Sequence, residues 1–395
     1  MSADGGQHAV NKQKEGFGMK IGLLGFGVVG RGVYDILAER KDISVGTVLC
    51  RRDLGKLTAR TTRDMDEIIA DPEIDTVVEV MGGLHPAFEY VSAALKAGKN
   101  VVTSNKHLLC HYYEELNQLA KEHGAVLRGT AAVGGGIPWL VNLERAARVD
   151  KISKLSGIMN GTTNFIVDAM IKNDADFGET LAQAQALGYA EADPSADIDG
   201  IDVKNKTIIA TSVAFDTACT ADLPVTGIRT LTKADLDLFA QSGRTVKLLG
   251  RAVQHDGRYA ASVEPVALPS RSLEANVPAN FNIVSLEGTT VGPLKFYGQG
   301  AGSLPTGNAM VQDVLDYAAG RRPRYDFSLA LDCDPTLLVG DYVYRTTMPK
   351  PDGAEPFAKG AWLVRNVDPA KARALFVEAL AQDPTSFMAA LPQEV

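Results

Sequence analysis

Short apolar runs and amphipathic stretches alternate along the first 148 residues. Five runs have the length and composition of buried strands, at residues 19–24, 43–49, 75–80, 99–104 and 124–129. The segments between these runs place apolar residues three and four positions apart, which is typical of helices that bury one face. Strands that alternate with helices indicate a parallel sheet covered by helices. We therefore predict an α/β domain with a doubly wound parallel sheet over residues 19–148.

The pattern changes after this region, where strands and helices no longer alternate. Strand-like runs occur at residues 151–159, 244–266 and 282–296, and the clearest helical stretch is 201–215. Asn160 and Thr162 are residue types that cap helices, so a helix is expected to begin there. We predict an α+β domain over residues 149–302 and a helix at about 303–320 that returns to complete the first domain.

The two ends of the chain differ from these domains. Residues 1–18 contain glycine, glutamine and lysine but no apolar run, so we predict a flexible N-terminal arm rather than a secretory signal. Residues 321–395 contain the strand-like sequences YVYRTT and AWLVRNV and one helical stretch, PAKARALFVEALAQ. We interpret this last segment as a short C-terminal appendage.

Composition changes this picture only by excluding several classes of protein. A chain of 395 residues is long enough for two or three domains at roughly 100–200 residues each. Its net charge of −8 offers no basic surface for nucleic acid or an anionic membrane. No apolar run approaches the ~20 residues of a membrane span. The four cysteines are scattered, which indicates reduced thiols and a cytoplasmic protein.

The first strand is followed by a glycine motif with the spacing GxGxxG. Its residues are Gly25, Phe26, Gly27, Val28, Val29 and Gly30. The first glycine permits a tight turn, the second lets the backbone approach a pyrophosphate, and the third permits close packing of helix on strand. N–H groups at the start of the helix then face the phosphates. Because the motif follows a strand and opens a helix, we predict a Rossmann-type domain that binds NAD(H) or NADP(H). The alternative is a tight turn without a ligand.

Basic residues follow the second strand, where the adenosine ribose of a dinucleotide would lie. NAD-binding domains usually carry an acid here, which binds the ribose 2′-hydroxyl. In this chain Arg51 and Arg52 take that place, with Lys56 shortly after them. A guanidinium can make paired hydrogen bonds to phosphate, so the sequence favours NADP(H) over NAD(H). The alternative is a solvated basic turn in which Asp53 binds the ribose.

An acidic segment that ends in a lysine spans residues 188–206. Five carboxylates fall within twelve residues, on Glu191, Asp193, Asp197, Asp199 and Asp202. Asp202 lies in the first turn of a predicted helix, and Lys206 lies four residues further on the same face. Since that face continues with apolar residues, we expect the pair to point inward. The lysine could then protonate a carbonyl oxygen and the acids could hold an ammonium group, whereas the alternative is an exposed ion pair.

Two further segments suggest ligand contacts. Thr103, Ser104 and Lys106 close a strand at its carboxyl end, where ligands of open α/β sheets bind. The alternative for Lys106 is an ordinary surface lysine. The sequence TAAVGGGIP, at residues 130–138, has three successive glycines between apolar residues. Such a backbone can turn its carbonyl groups toward a small cation, or it can form only a tight loop.

Together these segments resemble the homoserine dehydrogenase family. The matching sequences, in order, are GFGVVGRGV, TSNKHLL, AAVGGGIP, GIMNGTTNFI, GYAEADPSADIDGIDVKNK and GAGSLPTGNAMVQD. The match covers about residues 19–320, and its fourth and fifth sequences are the most specific. The resemblance implies reduction of L-aspartate 4-semialdehyde to L-homoserine with NADPH or NADH. That reaction lies on the route to threonine, isoleucine and methionine.

The resemblance also implies roles for the residues of the acidic segment. Lys206 matches the lysine that donates a proton to the aldehyde oxygen, and Lys106 matches a lysine near the nicotinamide and the substrate. Glu191 and Asp202 match acids that bind the amino acid. Asp197 lies in the same loop and is assigned a supporting role. Gly188 and Gly302 match glycines that contact the cofactor, so the resemblance implies that they bind it.

A sodium site is implied as well. In the family it is built largely from main-chain carbonyl groups, and the matching positions are Thr130, Val133, Gly135 and Ile137. The first of these is usually a glutamate, in an E-A-x-V pattern, and it is a threonine here. A carbonyl ligand survives that change, so sodium remains an expected ligand.

The family also implies an assembly and an interpretation of the C-terminal segment. We expect the second domain to carry substrate contacts and a sheet for dimer formation, in a homodimer or homotetramer. Longer family members carry a C-terminal ACT-type module with a βαββαβ pattern. Residues 321–395 are short for that pattern and show one clear helix, so we interpret them as a reduced ACT-like module.

Two other functions remain compatible with the same sequence. One is a related Rossmann dehydrogenase that acts on another amino or semialdehyde acid. The other is a non-catalytic NADP-binding regulator that has kept the fold. The small-molecule substrate would distinguish the first from a homoserine dehydrogenase, and turnover would distinguish the second.

Overall fold

A computed structural model describes residues 18–219, 222–351 and 353–392. The N-terminal arm predicted over residues 1–18 therefore lies outside the described residues, apart from Gly18. The described chain folds around two β-sheets. The first is parallel and the second is mostly antiparallel.

The first sheet lies within residues 19–128, and the structure describes six parallel strands in it. They are β1 (Met19–Leu24), β2 (Ile43–Leu49), β3 (Arg60–Thr62), β4 (Ile74–Glu79), β5 (Asn100–Thr103) and β6 (Leu127–Arg128). Their order is β3-β2-β1-β4-β5-β6. Strand order reverses between β1 and β4, which opens a crevice at the carboxyl ends of these strands. The prediction of a doubly wound parallel sheet is confirmed.

Helices connect and cover these strands. They are α1 (Val28–Ala38), α2 (Met65–Ala70), α3 (Ala87–Lys96), α4 (Lys106–Glu122) and α5 (Trp139–Ala147). α1 begins directly after the glycine motif, as its sequence predicts. The start of α4 is set by Asn105, whose side chain accepts a hydrogen bond from the Leu108 N–H. This cap places Lys106 in the first turn of the helix.

The second sheet is built from strands that follow residue 150. The strands are β7 (Ile152–Ile158), β8 (Arg244–His255), β9 (Arg258–Pro269), β10 (Phe281–Gly288) and β11 (Gly292–Gln299), in the order β11-β10-β7-β8-β9. The helices of this region are α6 (Gly161–Asn173), α7 (Phe177–Ala186), α8 (Ser195–Ile198), α9 (Ile201–Phe215), α10 (Lys233–Gln241) and α11 (Ser303–Ala318). α9 is buried along almost its whole length, as expected for a helix between sheet and first domain.

The helix that follows Gly302, α11, packs on α1 of the first domain. The two backbones meet at glycines. A Cβ on Gly32 would lie 2.2 Å from the Ser303 carbonyl oxygen, and one on Gly307 would lie 2.8 Å from the Gly32 carbonyl carbon. Neither position has room for a side chain.

The C-terminal segment adds strands to the second sheet. Its elements are β12 (Asp332–Cys333), β13 (Gly340–Arg345), β14 (Glu355–Ala358), β15 (Ala361–Val367), α12 (Pro369–Gln382) and β16 (Phe387–Leu391). The order β16-β13-β15-β14 is antiparallel throughout, as in a βαββαβ module, and the described residues between β13 and β14 form no helix. Ala390 pairs in parallel with Val266 of β9, so this segment continues the sheet of the second domain.

The hydrophobic core extends across the two domains and the C-terminal segment. One cluster of buried side chains contains Leu24 of the first sheet, Val263 of the second and Phe387 of the C-terminal segment. A smaller cluster fills the space between the first sheet, α1 and α11. None of the described helices combines the length and the apolar character of a membrane span.

Candidate active site

A polar cleft of about 570 Å³ lies where the first domain meets the second. Lys106 enters it from the start of α4. The residues at the beginning of α9 form its floor, and the loop from Gln299 to Gly302 forms part of its wall. Lys106, Glu191, Asp197, Asp202, Lys206, Gly188 and Gly302 all line this cleft. The predicted catalytic and substrate-binding residues are thus brought together.

Asp202 is the centre of the charged groups in the cleft. Its Oδ2 accepts a hydrogen bond from Lys206 Nζ at 2.8 Å, and its Oδ1 lies 2.6 Å from Lys106 Nζ. Lys206 Nζ also donates to the Met159 carbonyl oxygen at 2.7 Å. Asp202 and Lys206 are both buried. The pair therefore points inward, as the sequence predicts, and the exposed alternative is wrong.

Asn160 holds the acids in place and was not recognised as a site residue from the sequence. Its side-chain oxygen caps α6 by accepting from the Thr163 N–H at 2.8 Å. The amide nitrogen of the same side chain donates to Asp197 at 2.7 Å and to Asp202 at 2.8 Å. The cap was predictable from the residue type. The second set of contacts was not, because it joins segments about forty residues apart.

The arrangement shifts the pKa of Asp202, Lys206 and Lys106 away from their ordinary values. Burial would raise the pKa of Asp202, but the ammonium groups of Lys206 and Lys106 hold it below its usual range. Burial lowers the pKa of Lys206, partly offset by Asp202 and reinforced by Lys106. For Lys106, burial is outweighed by Asp202, so its pKa is raised. Of the two lysines, Lys206 is the one that releases its proton more readily.

The remaining carboxylates of the acidic segment divide into two groups. Burial raises the pKa of Asp197, which faces the cleft, and Glu191 lines the cleft with its side chain exposed. Asp193 caps the turn at Ser195, and Asp199 pairs with Arg229. These last two carboxylates therefore have local structural partners, although Asp193 also lines the cleft.

The glycine motif has the geometry that its sequence predicts. Gly25 has φ of +98°, which only glycine adopts readily, and a Cβ on Gly30 would lie 2.4 Å from the Gly25 carbonyl oxygen. No heavy atom lies within 4 Å of the corresponding position on Gly27, so its backbone is open to a ligand. Phe26 is buried, whereas Val28 is exposed and Val29 is partly buried.

The basic residues after β2 lie beside the glycine motif, close to Phe26. Arg51, Arg52 and Lys56 are all exposed. Arg52 donates to the Phe26 carbonyl oxygen at 3.0 Å, which holds its guanidinium beside the glycine loop. Asp53 accepts from the Gly55 N–H at 2.9 Å and so closes a turn.

Thr103 and Ser104 follow β5 beside the crevice. Thr103 is fully buried, and its hydroxyl donates to Glu79 at 2.5 Å instead of facing a ligand. Ser104 is partly buried and is held by its N–H, which donates to the Glu79 carbonyl oxygen at 3.3 Å. Glu79 is a second residue that the sequence did not indicate.

The loop predicted to bind a cation lies beside the cleft wall, since a Cβ on Gly135 would lie 2.5 Å from the Gly300 carbonyl oxygen. Thr130 donates both its hydroxyl and its N–H to Asp313, at 2.7 and 3.0 Å, so its side chain is not directed to an ion. Among the described residues, the carbonyl oxygens of Val133 and Gly135 accept no backbone hydrogen bond, and Ile137 accepts one from Trp139. The Thr130 carbonyl oxygen also accepts, from the Val133 N–H at 3.5 Å, so the oxygens of Val133 and Gly135 are the two of the four predicted ligands that no described backbone N–H occupies.

The fold and the cleft together define a dinucleotide-dependent dehydrogenase, with the nucleotide crevice in one domain and a lysine–carboxylate site in the next. Comparison with known proteins leads to the same class of protein. A family model described as "Homoserine dehydrogenase, NAD binding domain" matches residues 25–128, and one described as "Homoserine dehydrogenase" matches residues 138–315.

Relatives and solved structures lead to the same family. The chain is 38% identical to the homoserine dehydrogenase of Bacillus subtilis, over 75% of this chain and 72% of that protein. It is 40% identical to that of Corynebacterium glutamicum, over 78% and 73%. A crystal structure of a homoserine dehydrogenase from Thiobacillus denitrificans has a TM-score of 0.84 at 31% identity, over 95% of this chain and 98% of that one. This chain belongs to the homoserine dehydrogenase family.

Proposed function

We propose that this chain reduces L-aspartate 4-semialdehyde to L-homoserine with a reduced nicotinamide nucleotide. The observation that carries the proposal is the contact of Asp202 with both Lys206 and Lys106 in a cleft that adjoins the dinucleotide crevice. When bound, the nucleotide supplies the hydride that reduces the aldehyde carbon. The residues of the cleft then have to bind the amino acid and provide a proton.

Substrate binding is assigned to the acids and to Lys106. The substrate carries an α-ammonium group, which Glu191 and Asp202 can bind as carboxylates, with Asp197 beside them. Lys106 lies at the mouth of the cleft with about a third of its side chain exposed. Its charge can attract the substrate carboxylate or the developing charge near the nicotinamide.

Proton transfer is assigned to Lys206. Negative charge builds on the aldehyde oxygen during reduction, and an ammonium group next to it stabilises the transition state. Lys206 can then donate its proton to that oxygen. A lowered pKa favours this role, because the neutral amine formed is more stable than it would be in water. In the reverse direction the neutral amine accepts the proton of the homoserine hydroxyl.

NADP(H) is proposed as the preferred nucleotide. The position of Arg52 beside the glycine loop supports this, since its guanidinium is available to a ribose 2′-phosphate. Asp53 is engaged in its own turn. Initial rates with NADPH and NADH for the wild type and for Arg52→Ala would test the preference. A loss confined to NADPH is expected.

A sodium ion, an assembly and a compartment complete the proposal. The ion would be held by main-chain oxygens of Thr130, Val133, Gly135 and Ile137 and would order that loop.

A homodimer or homotetramer is supported by the exposed side chains of Leu294 and Tyr297 on the outer strand β11. The cysteines form no disulfide among the described residues, which supports a cytoplasmic location. Light scattering would give the subunit number.

The central experiment replaces Lys206 by alanine. We expect Lys206→Ala to lose at least about 100-fold in kcat in both directions, because general acid–base groups contribute roughly 10²–10⁴. Binding of NADPH should stay within about twofold, since the hydrogen bonds of the Lys206 ammonium group among the described residues go to Asp202 and Met159 and not to the glycine motif. Lys204→Ala is the matched control, because Lys204 lies on the same helix but is partly exposed.

Three outcomes would contradict the assignment. An active Lys206→Ala variant would remove Lys206 from the mechanism. Wild-type turnover with another hydroxy acid, but not with homoserine, would favour a related dehydrogenase. Binding of NADPH without turnover of any such substrate would favour a regulator.

A further inference from the structure

Glu79 is a buried carboxylate at the carboxyl end of β4, the strand that borders the dinucleotide crevice. It is completely shielded from solvent. In the sheet it lies level with Leu24, the last residue before the glycine motif, and with Thr103 of β5. No basic side chain pairs with it in the part of the chain that the structure describes. A buried carboxylate without a cation is costly unless hydrogen bonds compensate.

Hydrogen-bond donors surround this carboxylate on both sides. One oxygen accepts from the N–H groups of Met81 at 2.6 Å and Gly82 at 3.4 Å. The other accepts from the Thr103 hydroxyl at 2.5 Å. The Asn105 side chain approaches at 3.5 Å. Burial raises the pKa of Glu79, and these donors oppose that effect.

The contacts join two loops that border the crevice. On one side, the loop after β4 is folded back onto the glycine motif, where a Cβ on Gly25 would lie 3.3 Å from Met81 Cγ. On the other side, Asn105 donates to the Gly83 carbonyl oxygen at 2.7 Å and caps α4. The next residue is Lys106, which contacts Asp202. Glu79 therefore lies between the nucleotide loop and the first residue of the cleft.

We propose that Glu79 is a positioning residue for this reaction: its buried carboxylate holds the loop 81–83 and the start of α4 in the places that the nicotinamide half of the dinucleotide and Lys106 require. The proposal rests on the proposed function for the role of Lys106. Its nucleotide part stands independently, since the loop 81–83 packs against the glycine motif itself. Glu79 contacts no residue of the acidic segment and takes no part in proton transfer.

Substitution of Glu79 tests this directly. Glu79→Ala is expected to raise the Kd for NADPH about tenfold or more, because several donors lose their acceptor and both loops relax. The kcat for homoserine oxidation should fall as well. Glu79→Gln keeps an oxygen for Met81 and Gly82 and should recover most of the affinity. Should the alanine variant not fold, Thr103→Val is the second test. It removes the hydroxyl that donates a hydrogen bond to Glu79, and it is also expected to raise the Kd for NADPH.

A matched control separates positioning from general stability. Asp235 is a buried carboxylate in the second domain that accepts from a backbone N–H and a hydroxyl of Thr232 and, unlike Glu79, also pairs with a guanidinium, that of Arg345. Asp235→Asn should lower the Tm and leave the Kd for NADPH unchanged. Wild-type affinity in a folded Glu79→Ala protein, or an equal loss in Asp235→Asn, would overturn the proposal. Since binding is measured without homoserine, a wild type inactive on homoserine would overturn the proposed function and leave this readout intact.

Discussion

At the scale of residues, one carboxylate organises the charges of the cleft. Asp202 contacts two ammonium groups, so the local charge before substrate binds depends on three groups that titrate together. Asp202 raises the pKa of Lys206, and Lys106 lowers it. The proton affinity of Lys206 is therefore set by neighbours that can be removed one at a time.

Because Asp202 and Lys106 act on Lys206 in opposite directions, replacing each of them should shift the pH dependence of kcat in opposite directions. Because the pKa of Lys206 is lowered, aldehyde reduction should decline, and homoserine oxidation should rise, at a pH below that of an ordinary lysine. In Asp202→Asn the negative charge is lost, and the midpoint should move down by about one pH unit or more. In Lys106→Met a positive charge is lost, and the midpoint should move up.

The measurement is kcat against pH in both directions for the three proteins. The lower activity expected of both variants does not affect the comparison, since only the midpoint is compared. Midpoints that shift in the same direction, or that stay at the wild-type value, would show that a group other than Lys206 controls the profile.

Residue types and spacing predicted much of this site. The pair Asp202 and Lys206 was found because four residues separate them on a helix whose face continues apolar. The contact between Lys106 and Asp202 was not predictable from spacing, since it joins two helices from different domains. Glu79 was missed for another reason: its sequence is that of an ordinary buried strand, and its role depends on donors from the loop after β4 and from the end of β5.

At the scale of elements, the nucleotide crevice depends on how α11 meets α1. The helices touch through the backbone at Gly32 and Gly307. The Ser303 hydroxyl, at the start of α11, donates to the Val28 carbonyl oxygen at 2.7 Å. A shift of α11 would therefore reach the glycine motif directly.

Gly32→Ala is the test of this contact. Its Cβ would lie 2.2 Å from a carbonyl oxygen, so we expect a destabilisation of ~1–3 kcal/mol from overpacking and weaker NADPH binding. Gly178→Ala is the control, because it lies in α7 with no heavy atom within 4 Å of the new methyl group. Thermal unfolding and NADPH titration of both variants would suffice. Equal stability of the two would show that α11 can move aside without cost.

Short elements were harder to predict than long ones. The run at 124–129 was expected to be a strand, and only Leu127–Arg128 is one. β16 was missed because four of its five residues are buried, so no alternation of apolar and polar positions marks it. β14 lies in a stretch that contains proline and glycine, which resembles a loop.

At the scale of the whole molecule, the C-terminal segment is part of the second domain's sheet and core. Arg345 of β13 makes two hydrogen bonds to the buried carboxylate of Asp235, at 2.6 and 2.9 Å. The same guanidinium donates to the carbonyl oxygens of Thr230 and Thr385. Whether this segment also acts as a reduced ACT-like module stays a prediction.

Arg345→Ala tests how firmly the segment is joined. It would leave Asp235 buried without its cation, and we expect a loss of about 3 kcal/mol in the free energy of unfolding. Because the core is continuous, calorimetry should show the segment and the second domain unfolding in one transition that moves to lower temperature. A separate early transition for the C-terminal segment would contradict this.

The pairing along β9 has a consequence for solubility. β9 has twelve residues and would present a long free edge on the side away from β8, where another chain could add a strand. Three short segments cover it in turn: β12 at Arg258 and Tyr259, an isolated bridge from Val225 to Val263, and β16 at Val266. The outer strand on this side thereby becomes β14, which has four residues and contains Pro356. The C-terminal segment thus covers a long strand edge that would be prone to aggregation. The edge that remains exposed is short, and its proline disfavours the addition of another strand.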